Sequence, residues 1–434
     1  METMSVDVLS LESNPGKMRT SITTRSLNTS LSSVASTGIS QLVGDKDQDR
    51  FVVKTTEEDK PDYFAVFDGH GQFALAADMS ADHLYDLILD IDAEIANADK
   101  SPEDEVAASL PLGPLVPTDE AIVQAFHIMH DDIVAKAKET NQMRTGTCAL
   151  CLFLGEPTQK DIQRLAADKS EATSEPAAES EAEDENRGDA DSDSNSIGGN
   201  TSGTSSKNHS FAKIAWVGDS KCIMVDHFNN PTELTVDHRV STNPNEVKRI
   251  QEMSEKLDIR EGLLESEFWE NEVKVHEEKG KKPRPKSYIG QRSYNGQPRG
   301  PHVLFSYSNG ISLQISRTLG DPLAARSATA EPEIAYCDIS DGQHYRFVLA
   351  SDGVWDVFTP KEIANILKKY PDPQHAGQAI SYQAKNKRMG KGLNNDDITT
   401  IVIEVNPHMR VQKSKGSFLN LGSILGRNSK RKLA

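Results

Sequence analysis

The stretch FAVFDGHGQ, residues 64–72, joins an apolar run to an acid, a histidine and two glycines. Tyr63 to Phe67 has the composition of a buried β-strand, and Asp68-Gly69 is a pair typical of tight turns. We therefore expect the chain to turn at Asp68-Gly69, directly after the strand. An acid and an imidazole at such a position can serve either a turn or a reaction centre, and the rest of the sequence has to distinguish the two.

Other acids also lie at the ends of apolar segments. Asp219 follows FAKIAWVG, Asp352 follows HYRFVLAS, and Asp396 precedes ITTIVIEV. Carboxylates at strand ends, several of them beside glycine, are the oxygen donors that Mg²⁺ and Mn²⁺ prefer. The pattern favours a hard-cation site, although spacing alone does not bring these residues together.

Length and composition limit the class of protein. The chain has 434 residues, 36% of them hydrophobic, which is enough for one large domain with insertions and predicts some unfolded segments. The polar N-terminus predicts no signal peptide, and no apolar run is long enough to predict a transmembrane segment. Cys148 and Cys151 have CxxC spacing but lie in an apolar run, so strand cysteines in a reducing intracellular compartment are favoured over a zinc or redox site.

The net charge of −18 is distributed unevenly. Residues 161–210 carry 12 acidic and 4 basic residues, and we predict a disordered acidic insertion over 157–210 between two paired strands. Residues 1–37 are rich in Ser and Thr and are predicted to be a mobile arm. Residues 407–434 form a basic tail, which is either solvated or contacts a membrane surface or an import receptor. The charge gives no reason to expect nucleic-acid binding.

Helix signals are clear in several places. A helix is predicted after Thr118 as N-cap, and another after Thr359, with Glu362 completing a capping box. Residues 243–259 are also predicted to be helical, whereas residues 276–300 are predicted to be a loop with little capacity for a core.

Taken in order, these motifs resemble the metal-dependent type-2C protein Ser/Thr phosphatases over residues 38–406. The matching stretches are DKDQDRF (45–51), FAVFDGHGQ (64–72), TGTCALCLFL (145–154), AWVGDSKCIMV (215–225), LTVDHR (234–239), LQISRTLGDP (313–322), AEPEI (330–334), FVLASDGVWDVF (347–358) and NNDDITTIVI (394–403). The resemblance implies an α+β fold, a four-layer α-β-β-α sandwich of two antiparallel sheets flanked by helices. It also places a substrate-selecting flap region at residues 241–310.

The same resemblance implies site roles. Asp68 would bridge two Mg²⁺ or Mn²⁺ ions, the Gly69 carbonyl would bind one, and Asp352 and Asp396 would bind the other. Asp219 would lie at a third, weaker ion, and Asp49 near the metal waters. His70 would be the general acid that protonates the departing Ser or Thr alkoxide. Phosphoproteins would be the substrates of a monomeric enzyme in the cytoplasm, the nucleus or both.

One departure from the family pattern concerns phosphate binding. Many members carry an arginine where this chain has Gly44, and Lys46 is the nearest base that could replace it. A glutamate frequent in the family is replaced by Gln48. The departures leave a second hypothesis open, a pseudophosphatase that acts as a binding or scaffold module. An unrelated metal-dependent hydrolase is a third interpretation.

Overall fold

A computed structural model describes residues 36–55, 59–98, 113–172, 210–256, 287–294, 297–306, 311–324 and 328–406. The predicted tail of residues 407–434 lies outside these ranges, as does the predicted arm except for its last two residues. Residues 173–209 of the acidic insertion also lie outside them. Across the described ranges, no helix is both long enough and apolar enough to cross a lipid bilayer.

The structure contains two large sheets and one small sheet. The strands are β1 (Ser36–Leu42), β2 (Arg50–Lys54), β3 (Asp62–Gly71), β4 (Thr145–Gly155), β5 (Phe211–Val217), β6 (Lys221–Val225), β7 (Pro231–Glu233), β8 (Ser287–Tyr294), β9 (Gln297–Ser306), β10 (Ile311–Leu313), β11 (Leu319–Gly320), β12 (Glu333–Asp338), β13 (Tyr345–Ala350) and β14 (Ile398–Val405). The five-stranded sheet has the order β1-β14-β13-β6-β7, and the small sheet has the order β10-β9-β8. The six-stranded sheet has the order β12-β5-β4-β3-β2, with β11 also paired to β4. Neighbouring strands within each sheet are antiparallel.

The helices are α1 (Leu75–Ala98), α2 (Asp119–Glu139), α3 (Gln159–Ala172), α4 (Pro244–Lys256), α5 (Asp352–Trp355), α6 (Pro360–Lys369) and α7 (Pro373–Gly390). Helices α1 and α2 cover the outer face of the six-stranded sheet, and α6 and α7 cover that of the five-stranded sheet. The predicted N-caps are confirmed, because the Thr118 hydroxyl accepts from the Ala121 N–H and Thr359 forms a complete capping box with Glu362. Helix α4 confirms the helix predicted after residue 243.

Three apolar clusters hold four layers together. Residues 62–67 of β3 are all buried, and their side chains alternate between the two faces of the sheet. Phe64 and Val66 join a cluster between the two large sheets, while Tyr63 and Phe67 pack under α1 and α2. A third cluster packs α6 and α7 on the five-stranded sheet. The sheets are therefore covered on both faces, which explains their unbroken apolar runs. The predicted α+β fold, a four-layer α-β-β-α sandwich, is confirmed.

The structure corrects the prediction of a turn at Asp68-Gly69. Strand β3 continues to Gly71, and its last residues pair with the first residues of β4, with His70 opposite Gly146. The long partner strand extends the ladder past the Asp-Gly pair, so tertiary pairing overrides the local turn preference.

Two further boundaries differ from the predictions. The acidic insertion does not begin at residue 157, because residues 159–172 form α3, whose Asp161 is buried against Lys213 at 2.7 Å. The predicted loop of residues 276–300 contains β8 and the start of β9. The dipeptide Asn295-Gly296 stands between these two strands in the sequence and is the strongest short hairpin signal. Strand β1, which was not predicted, pairs with β14 from Ser36 onward.

Candidate functional site

The end of β3 meets the start of α5 at one edge of the sandwich. Asp68 lies in β3 of the six-stranded sheet, and Asp352 begins α5 directly after β13 of the five-stranded sheet. The backbone N–H of Asp352 donates to Oδ2 of Asp68 over 3.3 Å. Gly69 lies so close to the loop before β2 that a Cβ atom would stand 2.5 Å from the Gln48 carbonyl oxygen, so this position requires glycine.

A third carboxylate joins these two. Asp219 follows β5 after Gly218, whose φ of 99° is a conformation that favours glycine. One carboxylate oxygen from each of Asp68, Asp219 and Asp352 can be chosen so that all three lie within 4.8 Å of one another. The structure therefore brings together three of the acids that the sequence indicated at strand ends.

The electrostatics of this acid cluster, Asp68, Asp219 and Asp352, call for a cation. Burial, and after it the neighbouring carboxylates, raise the pKa of both Asp68 and Asp352 well above the ordinary value. Among the described residues, no Lys, Arg or His lies within ion-pairing distance of Asp68. Oxygen donors without enough compensating charge are what Mg²⁺ and Mn²⁺ bind, so the donor set fits a divalent cation.

Asp396 and Asp49 lie beside the cluster rather than in it. Burial is the largest cause of the raised pKa of Asp68, and the charges of Asp49 and Asp396 raise it further. Burial also raises the pKa of Asp396. Asp49 is buried, accepts a hydrogen bond from Thr399 Oγ1 at 2.8 Å, and has its pKa raised to about 8, first by burial and then by Asp397. Asp49 is thus close enough to raise the pKa of Asp68, but its own carboxylate is already hydrogen-bonded to Thr399.

Sequence reasoning missed two arginines that reach these acids. Arg239 donates to Asp219, Asp352 and Asp356, and Arg388 donates to Asp396 at 3.0 Å and to Asp356 at 3.3 Å. Arg239 stands in the matched stretch LTVDHR, but no local pattern shows which carboxylates its side chain reaches. The two arginines therefore neutralise the acids only in part, and neither of them contacts Asp68.

His70 lies at the same edge and has a carboxylate partner. Its Nε2 atom is 2.6 Å from Oδ2 of Asp321, a buried residue with a φ of 51°. Burial by itself would lower the pKa of His70, but the Asp321 carboxylate outweighs it and the pKa is raised. Gly146 makes room for the pair, because a Cβ atom there would lie 2.2 Å from Asp321 Oδ2 and 2.4 Å from His70 Nε2. In the sequence, Asp321 stands within the matched stretch LQISRTLGDP, which does not show that it contacts His70.

The loop of residues 44–49 is tied down by Asp397. The two Asp397 carboxylate oxygens accept the backbone N–H groups of Gly44, Gln48 and Asp49 at 2.5, 2.5 and 3.1 Å. A Cβ atom on Gly44 would stand 2.4 Å from the backbone carbonyl oxygen of Asn395. This path of the loop therefore has no room for a side chain at position 44, and an arginine is excluded there.

Lys46, on the same loop, is exposed. Burial and Asp321 have the largest effects on the pKa of His70, and the charge of Lys46 lowers that pKa by a smaller amount. Burial and Arg388 have the largest effects on the pKa of Asp396, which the charge of Lys46 also lowers. The ammonium group is therefore within electrostatic reach of both sides of the site.

A second cluster, formed by His238, Glu246 and Glu333, also contains three possible metal ligands. Glu246, however, is already paired with two arginines, Arg317 at 2.6 Å and Arg249 at 2.8 Å. Burial would raise the pKa of Glu246, but these partners lower it to about 2. The cluster is a compensated ion-pair network that ties the N-terminal end of α4 to the segment before β11, and it does not need a metal.

Comparison with known proteins identifies a family. The family model described as "Protein phosphatase 2C" matches residues 154–395. The rice protein "Probable protein phosphatase 2C 15" (Oryza sativa subsp. japonica) is 27% identical over 219 residues, which cover 49% of this chain and 40% of the relative. "Probable protein phosphatase 2C 71" of Arabidopsis thaliana is 33% identical over 91 residues, 21% of this chain and 19% of the relative. The chain thus matches less than half of either relative.

Among solved structures, the serine-threonine phosphatase 2C from Toxoplasma gondii matches 90% of this chain and 99% of its own, with a TM-score of 0.52 and 16% identity. At that identity the match concerns the fold alone. The family model, by contrast, covers more than half of the sequence. The chain belongs to the protein phosphatase 2C family.

Proposed function

We propose that the chain is a metal-dependent protein Ser/Thr phosphatase, which hydrolyses the phosphomonoesters of phosphoserine and phosphothreonine in proteins. The observation that carries this proposal is the convergence of Asp68, Asp219 and Asp352 within 4.8 Å, with the His70–Asp321 pair at the same edge. Family membership supports the same reaction class.

Asp68 and Asp352, with Asp396 beside them, are the residues that would hold two divalent ions. Mg²⁺ or Mn²⁺ bound there would supply an activated water as nucleophile and would offset the negative charge of the phosphoryl oxygens. The carboxylates contribute charge and position. Asp49, whose carboxylate is held by the Thr399 hydroxyl, would orient solvent beside them.

His70 would hold the proton that the leaving alkoxide requires. An alkoxide of serine or threonine is a poor leaving group, so a positioned acid accelerates its departure. The Asp321 carboxylate supports this role because it keeps the imidazole oriented and favours its protonated form.

Lys46 would bind the phosphoryl oxygens in place of the family's arginine. A lysine ammonium binds phosphate as a point charge and lacks the bidentate geometry of a guanidinium. We therefore expect weaker phosphate binding than an arginine would give, with the chemistry itself intact.

The cysteines offer no alternative nucleophile. Burial, and then the charges of Asp219 and Asp68, raise the pKa of Cys148, the thiol that donates to Asp219 at 3.2 Å. Burial also raises the pKa of Cys151, to about 12, that of Cys337, to about 11, and that of Cys222. A thiol nucleophile needs a lowered pKa, so these residues do not support a cysteine-dependent phosphatase.

The proposal is tested with a phosphothreonine peptide and Mn²⁺, comparing the wild type with Asp352→Asn. The variant should lose nearly all activity while it remains folded by circular dichroism. Asp90→Asn, which removes an exposed carboxylate from α1, is the matched control and should be unaffected. Equal activity of Asp352→Asn and the wild type would refute the metal assignment. A folded but inactive wild type would favour the binding-module alternative.

A further inference from the structure

Arg239 places its guanidinium among three carboxylates at one side of the acid cluster. Nε donates to Asp219 Oδ2 at 2.6 Å, Nη2 to Asp352 Oδ2 at 3.0 Å, and Nη1 to Asp356 Oδ1 at 2.8 Å. Each of the three guanidinium nitrogens thus has a different carboxylate partner. A planar fork with a permanent charge suits this arrangement, and a lysine could not reproduce it.

The backbone that presents Arg239 is fixed. The preceding residue, His238, is completely buried, its ring stacks on Trp216, and its Nδ1 accepts the Gly218 N–H at 3.0 Å. Arg239 itself forms a β-bridge with Ile315. Only 19% of the Arg239 side chain is exposed. The guanidinium is therefore built into the site and is not a mobile surface charge.

The Asp68 carboxylate, by contrast, has no such cation within the described part of the chain. Among the described residues, Asp68 has no cationic partner within ion-pairing distance, and its carboxylate accepts only the Asp352 backbone N–H. Asp352 engages Arg239 through Oδ2, which leaves Oδ1 for another partner. The cluster is thus divided into a side compensated by Arg239 and a side, at Asp68, that still needs positive charge.

We propose that Arg239 is the built-in counter-ion of the Asp219–Asp352–Asp356 corner and excludes a third metal ion from it, so that metal is confined to the Asp68 side. This inference rests on the proposed function. A divalent ion in that corner would compete with the guanidinium for the same oxygens and would be repelled by its charge. Asp219 then acts as a partner of Arg239 and Cys148 instead of as a ligand of a third ion.

The inference is tested by counting bound ions. The full-length wild type, Arg239→Gln and Arg164→Gln are dialysed against a series of Mn²⁺ concentrations, and the bound metal is measured by elemental analysis. The wild type should bind two ions per chain at saturation, and Arg239→Gln should bind three. Arg164→Gln is the matched control, because Arg164 pairs with Asp119, which belongs to neither acid cluster, and it should bind two.

Thermal unfolding gives a second readout that does not depend on activity. In a chelator, Arg239→Gln should have a lower Tm than the wild type, because it leaves buried carboxylates without a counter-ion. Saturating Mn²⁺ should raise its Tm by more than it raises that of the wild type, since the variant has one additional site.

The outcomes separate this inference from the proposed function. A wild type that binds two ions, together with a folded Arg239→Gln that binds no more, overturns the inference and leaves the proposed function standing. A third ion in the wild type also overturns it. No Mn²⁺ binding by the wild type contradicts the metal-dependent function and the inference together. Should Arg239→Gln fail to fold, the wild type still decides, because a third ion bound by the wild type contradicts the exclusion.

Discussion

The imidazole of His70 and the carboxylate of Asp321, which are 251 residues apart in the sequence, meet at 2.6 Å across Gly146. Asp321 is almost completely buried, so its charge acts on His70 with little screening by water. The pair gives the site a histidine that is oriented and favours its protonated form. This is the arrangement that a general acid requires.

This pair predicts a dependence on the leaving group. His70→Gln should slow hydrolysis of a phosphothreonine peptide by roughly 10²-fold or more, the usual contribution of a general acid. Hydrolysis of p-nitrophenyl phosphate should fall far less, because nitrophenolate leaves without a proton. Asp321→Asn should also lower the rates on both substrates, but by less than His70→Gln does. Equal losses of kcat on the two substrates would show that His70 does not protonate the leaving group.

Lys46 should determine phosphate affinity. Lys46→Ala is expected to raise the KM for the phosphopeptide by roughly tenfold, the effect of losing one charge-assisted contact. Lys54→Ala, which removes a lysine paired with Asp86 elsewhere on the surface, is the control. Gly44→Arg should not restore affinity, because its Cβ would overlap the Asn395 carbonyl, and it should lower the Tm. An unchanged KM in Lys46→Ala would remove Lys46 from the site.

Asp397 should position Lys46 through the loop of residues 44–49. Asp397→Asn leaves one acceptor oxygen where two now receive three N–H groups, and should lower the free energy of unfolding by about 1–3 kcal/mol. It should also raise the KM for the phosphopeptide. In the double variant with Lys46→Ala the KM effects should not add, since both act through the same contact. Full additivity would mean that Asp397 affects binding by another route.

Glu246 should make stability depend on pH in the acid range. Its pKa is lowered in the folded protein from 4.5 to about 2, so the stabilisation that its charge provides is complete above pH 4.5 and is lost as the pH falls towards 2. Urea unfolding of the wild type and Glu246→Gln should therefore show a gap that is constant near neutrality and narrows below pH 4.5. A gap of the same size at pH 7 and pH 3 would contradict this linkage.

The sequence predicted the principal acids of the site because each stands at the end of an apolar strand. In a sandwich of two sheets such ends can meet at one edge, as Asp68 and Asp352 do. The helix caps at Thr118 and Thr359 were equally predictable, because a cap depends on residues within one turn.

The arginines were not predictable from local pattern. Arg239 contacts carboxylates that are 20, 113 and 117 residues away in the sequence. The residues next to Arg239 do not show which carboxylates its side chain contacts. The contact between His70 and Asp321 could not be predicted for the same reason. Long-range ion pairs depend on the assembled fold, and the order of residues in a motif does not reveal them.

Some errors came from local signals read by themselves. Asp68-Gly69 is a turn pair in isolation, but the ladder between β3 and β4 keeps it extended. The polar composition of residues 276–300 predicts a loop, whereas β8 and β9 pair there as a hairpin, for which Asn295-Gly296 is a sequence signal. Gly44 is the opposite case: the sequence revealed the missing arginine, and the structure adds that close backbone packing leaves no room for one.

The central claim is that metal ions bound at Asp68 and Asp352 make the chain a phosphatase. The most direct measurement is phosphate release from a phosphothreonine peptide by the wild type after treatment with a chelator, followed by titration with Mn²⁺. We predict that the chelated protein is inactive and that activity returns as Mn²⁺ is added and then saturates. Activity that persists without metal, or a folded protein that stays inactive at every Mn²⁺ concentration, would contradict the claim.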